Sequence, residues 1–220
     1  MPNWVETRVK ITGPVEDIKA WARASYQGYT IPRGSELAAK SRHVTLLPEG
    51  PEGVGQFTFG ALTGVPKDFA DNWYDRGIEL WGTKWDISPS NVNGGVADLL
   101  LDALDLPDAP LGETLITDFS FTMSTAWSPA LPYLEAVVEK FPLLSIQTVY
   151  LDEGDCFAGY AYIHRYGSTG EDFVVDDIVP HVPYPEGDDP YGFLFDAWAD
   201  ANAERESKIF DALWEQAANV

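Results

Sequence analysis

Leu115-Ile-Thr-Asp-Phe-Ser-Phe-Thr-Met-Ser-Thr-Ala-Trp-Ser-Pro129 decides the fold. Leu115, Thr117, Phe119, Phe121 and Met123 alternate with Ile116, Asp118, Ser120, Thr122 and Ser124, which is the period of a strand with one buried face. A helix is predicted to start between Pro129 and Pro132, because proline is tolerated only near a helix start. Leu131, Leu134, Val137, Val138 and Phe141 form its inward stripe, and Pro142 ends it. Upstream, Trp73-Tyr-Asp-Arg-Gly-Ile-Glu-Leu-Trp-Gly-Thr-Lys-Trp-Asp86 reads as a helix running into a strand. Phe69, Trp73, Leu80 and Trp81 share a helical face, and Gly82 stands where a left-handed cap is needed. Trp85 and Ile87 then alternate with Asp86 and Ser88. The segments Trp73–Asp86 and Thr125–Pro129 hold four of the eight tryptophans and are expected to meet in space.

Working outward, Trp4 to Ile11 alternates as a strand, with Val5, Thr7, Val9 and Ile11 on one face. Thr12-Gly13-Pro14 opens a helix, with Pro14 at its first position and Val15, Ile18, Trp21 and Ala22 inward. Residues 28–66 read as a long connection with short strand candidates at His43–Leu47 and Gln56–Phe59. Residues 93–113 read as an insertion around Leu99–Leu106. Leu144–Leu151 and Phe157–Tyr166 are strands joined by the turn Asp152-Glu-Gly-Asp155. The Pro-rich stretch 178–190 is expected to be extended. Phe193–Ala217 reads as one long helix that touches the core at two places or packs on another subunit. The order predicts an α+β chain: a ferredoxin-like split βαβ sandwich, with an antiparallel sheet and helices on one face, plus a long C-terminal helix. Residues 1–166 are the expected domain, and 167–220 the appended segment and helix.

A hydrophobic content of 45% and an aromatic content of 13% exclude general disorder. One cysteine excludes an internal disulfide and fits a cytoplasmic setting. The opening residues have no apolar run, so no signal peptide is expected, and no stretch approaches a membrane span. Net charge is −21 and uneven. Residues 1–84 carry ten basic and ten acidic side chains, whereas residues 85–204 carry two basic against twenty-two acidic. Such a chain repels bare nucleic acid and anionic membranes and attracts a basic protein surface. The competing reading is that acidity serves solubility.

Met1-Pro-Asn-Trp4, Trp81-Gly-Thr-Lys-Trp-Asp86, Thr125-Ala-Trp-Ser-Pro129, Phe141-Pro142 and Phe157-Ala-Gly159 together resemble the YubB-type ferredoxin-like domain family of conjugative plasmids and phages, over roughly residues 1–166. The resemblance implies a ferredoxin-like fold without an iron–sulfur cluster, which one cysteine would not hold. It carries over no activity and no catalytic residues. The insertion at 93–113 and the tail at 167–220 lie outside the shared pattern.

No catalytic, cofactor or metal residues are assigned. Trp81, Trp85 and Trp127 read as packing residues, and alternatively as a ligand platform edged by Lys84 and Asp86. Cys156 with His164 is a poor nucleophile–base pair, since nearby acids oppose a thiolate and the two are eight residues apart. Asp152, Glu153 and Asp155 lack calcium-loop spacing. The expected function is that of a non-enzymatic acidic protein from a mobile element. It would inhibit a host defence system, as an anti-CRISPR or anti-restriction protein does, by occupying a nucleic-acid-binding surface as a DNA mimic. The expected partner-binding residues are Asp98, Asp102 and Asp105 on the insertion and Asp176, Asp177, Asp188 and Asp189 on the tail. The competing functions are a small-molecule binder or enzyme using the Trp-lined region, and a homodimer built through the C-terminal helix.

Overall fold

Alternating burial along Trp4–Pro14 gives this strand, β1, one buried face, formed by Val5, Thr7, Val9 and Ile11. The computed structural model describes residues 3–25, 57–66, 68–69, 71–87, 99, 102–183 and 193–219. The other strands are β2 (Ile116–Ala126), β3 (Ser145–Asp152), β4 (Ala158–His164) and β5 (Gly167–Phe173). The described helices are α1 (Val15–Ser25), α2 (Phe59–Thr63), α3 (Trp73–Trp81), α4 (Leu131–Lys140), the single turn α5 (Val175–Ile178) and α6 (Phe193–Ala217).

The five strands form one open antiparallel sheet in the order β2-β1-β3-β4-β5. β1 lies between β2 and β3 and is antiparallel to both, so β2 and β3 run parallel and α4 joins them across β1. The protein is thus a mixed α+β fold with a C-terminal helix. Its strand order is not that of a complete split βαβ sandwich.

Two departures explain the difference. No strand forms at Trp85–Ile87. Asp86 is buried there, and its carboxylate accepts the backbone N–H groups of Phe59 (2.7 Å) and Gly60 (3.0 Å) at the start of α2. A side chain turned inward to cap a distant helix removes the alternation that Trp85 and Ile87 suggested. In addition, the sheet continues past β4 into β5, which has no apolar alternation. Pro14, expected as the first helical residue, is instead the last residue of β1, opposite Ile116. Gln56–Phe59 yields no strand among its described residues, since Phe59 begins α2. His43–Leu47 lies outside the described residues.

The two crossover helices, α1 and α4, share one face of the sheet as expected, and the long C-terminal helix α6 packs on the other face. On one face, α1 to α4 bury Trp21, Phe59, Trp81, Tyr133 and Leu134 against Ile11, Phe121, Met123 and Ile146. The Tyr133 hydroxyl accepts from Trp21 Nε1 (3.1 Å) and shares a hydrogen bond with Ser25 (3.0 Å), so its burial leaves no unmet polar group. Leu99 and Ala103 of the insertion are buried in the same core. On the other face, Ile209, Phe210, Leu213 and Ala217 of α6 pack on Val149, Leu151, Ala158 and Tyr160. The Arg8 guanidinium of β1 lies 3.6 Å from the Phe210 ring centre. The sequence boundary at 166/167 therefore falls inside the β4–β5 hairpin, and α6 covers β3 and β4.

Arg205 fastens α6. It is 3% exposed, and its guanidinium donates to the carbonyls of Val179 (3.2 Å) and Pro180 (3.0 Å) and to the carboxylates of Asp155 (2.5 Å) and Asp176 (3.0 Å). Only the planar five-donor fork meets four acceptors at once. Arg205→Ala is expected to cost about 2 kcal/mol in denaturant melts, and Arg205→Lys is expected to recover little of it. An alanine variant within about 0.5 kcal/mol of wild type would show that the clasp contributes nothing net.

Candidate interaction surfaces

The two tryptophan-bearing segments meet, as their composition suggested. α3 ends at Gly82, whose left-handed backbone (φ 78°) closes the helix on Ile78, and a side chain there would run into Pro132. Thr83 then clasps the end of β2: its hydroxyl donates to the Ala126 carbonyl (2.9 Å) and accepts the Ala126 N–H (3.1 Å). Ser128 donates to the Gly82 carbonyl, Thr125 donates to the Ser128 carbonyl (2.7 Å), and the Trp127 N–H donates to Asn3 (2.9 Å).

These bonds hold Trp127 at φ 75°, a conformation disfavoured for a residue with a side chain. Trp127 is 47% exposed and Tyr74 49% exposed, whereas Trp81 is fully buried. The expectation that all three tryptophans are packing residues thus holds for Trp81 and is corrected for Trp127. The clasp turns Trp127 outward instead of into the core. The Lys84 ammonium sits among four rings, 5.0 Å from the centre of Trp85, 5.7 Å from Trp127, 5.8 Å from Tyr74 and 6.0 Å from Trp73. Such contacts hold α3, the 82–85 bend and the end of β2 together by attraction between the cation and the ring faces. Ile78, one turn along α3 from Tyr74, extends the same exposed apolar patch.

The acidic candidates separate. Asp102 and Asp105 are exposed beside the buried Ala103. Asp177 is exposed in α5, but Asp176 is held by Arg205, which neutralises it. Asp98, Asp188 and Asp189 lie outside the described residues. The described candidates therefore do not make one row. A row does occur on α6, where Asp196, Asp200 and Glu204 follow at intervals of four and Asp211 and Glu215 repeat the interval, all exposed. With a rise of 1.5 Å per residue, neighbours within each run stand about 6 Å apart, the step from Glu204 to Asp211 is about 10 Å, and the row spans about 28 Å. The face opposite is the buried one, with Arg205, Ile209 and Leu213. Lys208 pairs with Glu204 (2.7 Å) and holds its carboxyl below the usual range. The i, i+4 spacing was legible in the sequence, but only the burial of the opposite face makes it a solvent-facing stripe.

The hairpin chemistry is closed off. Asp152 is buried in the β3–β4 turn and accepts the N–H groups of Gly154 (3.1 Å) and Cys156 (3.2 Å). Its charge pushes the Cys156 thiol up, away from a nucleophilic thiolate. His164 lies at the other end of β4, where its Nδ1 accepts the Tyr166 N–H (3.1 Å). Among the described residues no group of three or more His, Cys, Asp or Glu is placed to hold a metal ion, and no helix is long and apolar enough to cross a membrane. Comparison with protein-family models, curated proteins and solved structures finds no match.

Proposed function

We propose that the protein is a non-enzymatic, cytoplasmic acidic binding protein. It acts by occupying a basic, nucleic-acid-binding surface of another protein, as an inhibitor of a host defence system would. The carboxylate row on the solvent face of α6 carries this reading. One DNA strand presents a charge every 3.4 Å along the duplex axis, and the row presents charges about 6 Å apart within each of its two runs. The row is sparser than a strand and is interrupted between Glu204 and Asp211, where Lys208 pairs with Glu204, and the insertion acids Asp102 and Asp105 add to the field. Complementary charge of this kind raises association rates and excludes nucleic acid from the same groove. The resemblance of residues 1–166 to the YubB-type family of plasmids and phages supports a mobile-element origin. We read β1, β2, α4 and β3 as the part of a ferredoxin-like unit that this chain retains.

A second reading rests on the exposed Trp127. A rigid, half-exposed tryptophan beside Tyr74 and Lys84 is a site for a small aromatic molecule or a protein contact.

The test is capture of partners from cells carrying defence systems, with wild type and a variant bearing Asp196→Asn, Asp200→Asn, Glu204→Gln, Asp211→Asn and Glu215→Gln. A nucleic-acid-binding protein that wild type retains, duplex DNA elutes and the variant fails to hold is the expected result. Partners held equally by the variant, and lost on Trp127→Ala, move the function to the aromatic patch.

A further inference from the structure

β5 is the last strand of the sheet, and every residue from Gly167 to Asp172 is exposed. Among the described residues nothing pairs with its outer edge. Bare edges of this kind invite another strand unless they are blocked. β5 carries neither proline nor lysine, its only charges are the acids Glu171 and Asp172, which repel another acidic strand and attract a basic one, and exposed Tyr166 and Val174 flank its two ends. Beside it lies a cleft of about 240 Å³ between the first turns of α4 and strands β4 and β5. Its β5 wall is formed by the short residues Ser168, Thr169 and Gly170 and the acids Glu171 and Asp172. At Gly170 a side chain would run into the Tyr160 carbonyl. Leu131 and Ile163 give it apolar walls.

Its charged groups are all carboxylates. Glu135 accepts from Ser168 (2.7 Å) and Asp172 from the Tyr150 hydroxyl (2.6 Å), which leaves acceptor capacity on both. Among the described residues no cation forms an ion pair with Glu135, Glu171 or Asp172.

We infer that β5 is a strand-addition site for an extended basic segment of a partner protein, with a lysine or arginine side chain of that segment entering the cleft between Glu135 and Asp172. The backbone edge supplies register and the carboxylates select the cation, which is the division of labour in strand-addition recognition. An aliphatic stem ending in a charge fits apolar walls with acids at the rim. The inference rests on reading the chain as an acidic binding protein, but it uses a surface other than the α6 row.

The probe is an eight-residue peptide of alternating lysine and threonine. Two further versions carry backbone N-methyl groups on one or the other alternate set of residues, with charge unchanged. Binding to the full chain is followed by calorimetry and by backbone amide shifts. The parent peptide is expected to bind with shifts confined to residues 167–173 and the start of α4. One methylated version is expected to bind at least tenfold more weakly, and Glu135→Gln and Asp172→Asn each to weaken the parent several-fold. No binding, equal binding of all three peptides, or shifts confined to α6 would overturn the inference. The α6 row variant separates the two ideas. If its partner binding responds as proposed while β5 ignores the peptide, strand addition alone falls. If β5 binds the peptide while the row is inert, the groove-occupying role falls.

Discussion

A chain ending at Tyr166 is expected to lose its cooperative thermal transition. The cut removes β5 and its ladder with β4, and it strips α6 from the sheet. Val149, Leu151 and Tyr160, buried under α6, would then face water. Exposing a large apolar side chain costs roughly 1.5–3 kcal/mol, so these three account for roughly 5–9 kcal/mol. That is comparable to the whole stability of a typical domain, about 5–15 kcal/mol. Calorimetry on the truncated chain should show a broad or absent transition together with binding of a hydrophobic dye. A sharp transition near the wild-type midpoint would mean that residues 1–166 fold alone and that α6 is an appendage.

The second large effect separates two tryptophans that the sequence treats alike. Trp81→Ala should destabilise by about 3–5 kcal/mol, because it empties a fully enclosed site between Phe59 and Phe69. It also leaves the Thr63 hydroxyl without the indole N–H that donates to it (2.9 Å). Trp127→Ala should cost about 1 kcal/mol or less, since half of the ring is already in solvent and its contact with Lys84 is an exposed one. Denaturant melts on both variants decide the matter. Equal losses would place Trp127 in the core and remove the aromatic patch as a candidate surface.

The contrast between these residues shows where sequence reading reaches its limit. Alternation and helical spacing located β1, β2, α4 and α6, because each has one apolar face whose period is its own signature, whereas β3 and β4, buried on both faces, were located by their β-branched and aromatic residues and the turn between them. Gly82 was legible as a cap because the backbone there demands a conformation few other residues adopt. β5 was not legible, since Gly-Ser-Thr-Gly-Glu-Asp-Phe is held by its ladder with β4 and by little side-chain burial. The Trp85 strand was misread because the role of Asp86 is fixed by Phe59 and Gly60, far away in the chain. Trp127 was misread because its direction depends on a left-handed backbone held by the Thr125 and Ser128 hydroxyls, the latter bonded to Gly82, far away in the chain. The acids were counted correctly as a charge but not as a surface. Asp176 is consumed by Arg205, while the α6 row needed the buried face of the helix to define its outward side.

The pairing pattern also makes the electrostatics of folding directional. Asp68, held down by Arg76, and Asp108, held down by Lys19, favour the folded chain only while ionised, so their contribution is lost as pH falls through their lowered values. Glu206, pushed up by burial and by Glu6 and Asp155, acts in the opposite sense and favours folding as it takes up its proton.

The most direct test of the central claim is the affinity of the wild-type chain for its captured partner across a salt series, measured beside the five-site α6 variant. Wild type is expected to weaken by about an order of magnitude between roughly 50 and 200 mM salt, as exposed charge contacts are screened. The variant is expected to start weaker and to change little. Affinity that does not respond to salt, and that the variant shares with wild type, would contradict a role for the acidic row in binding.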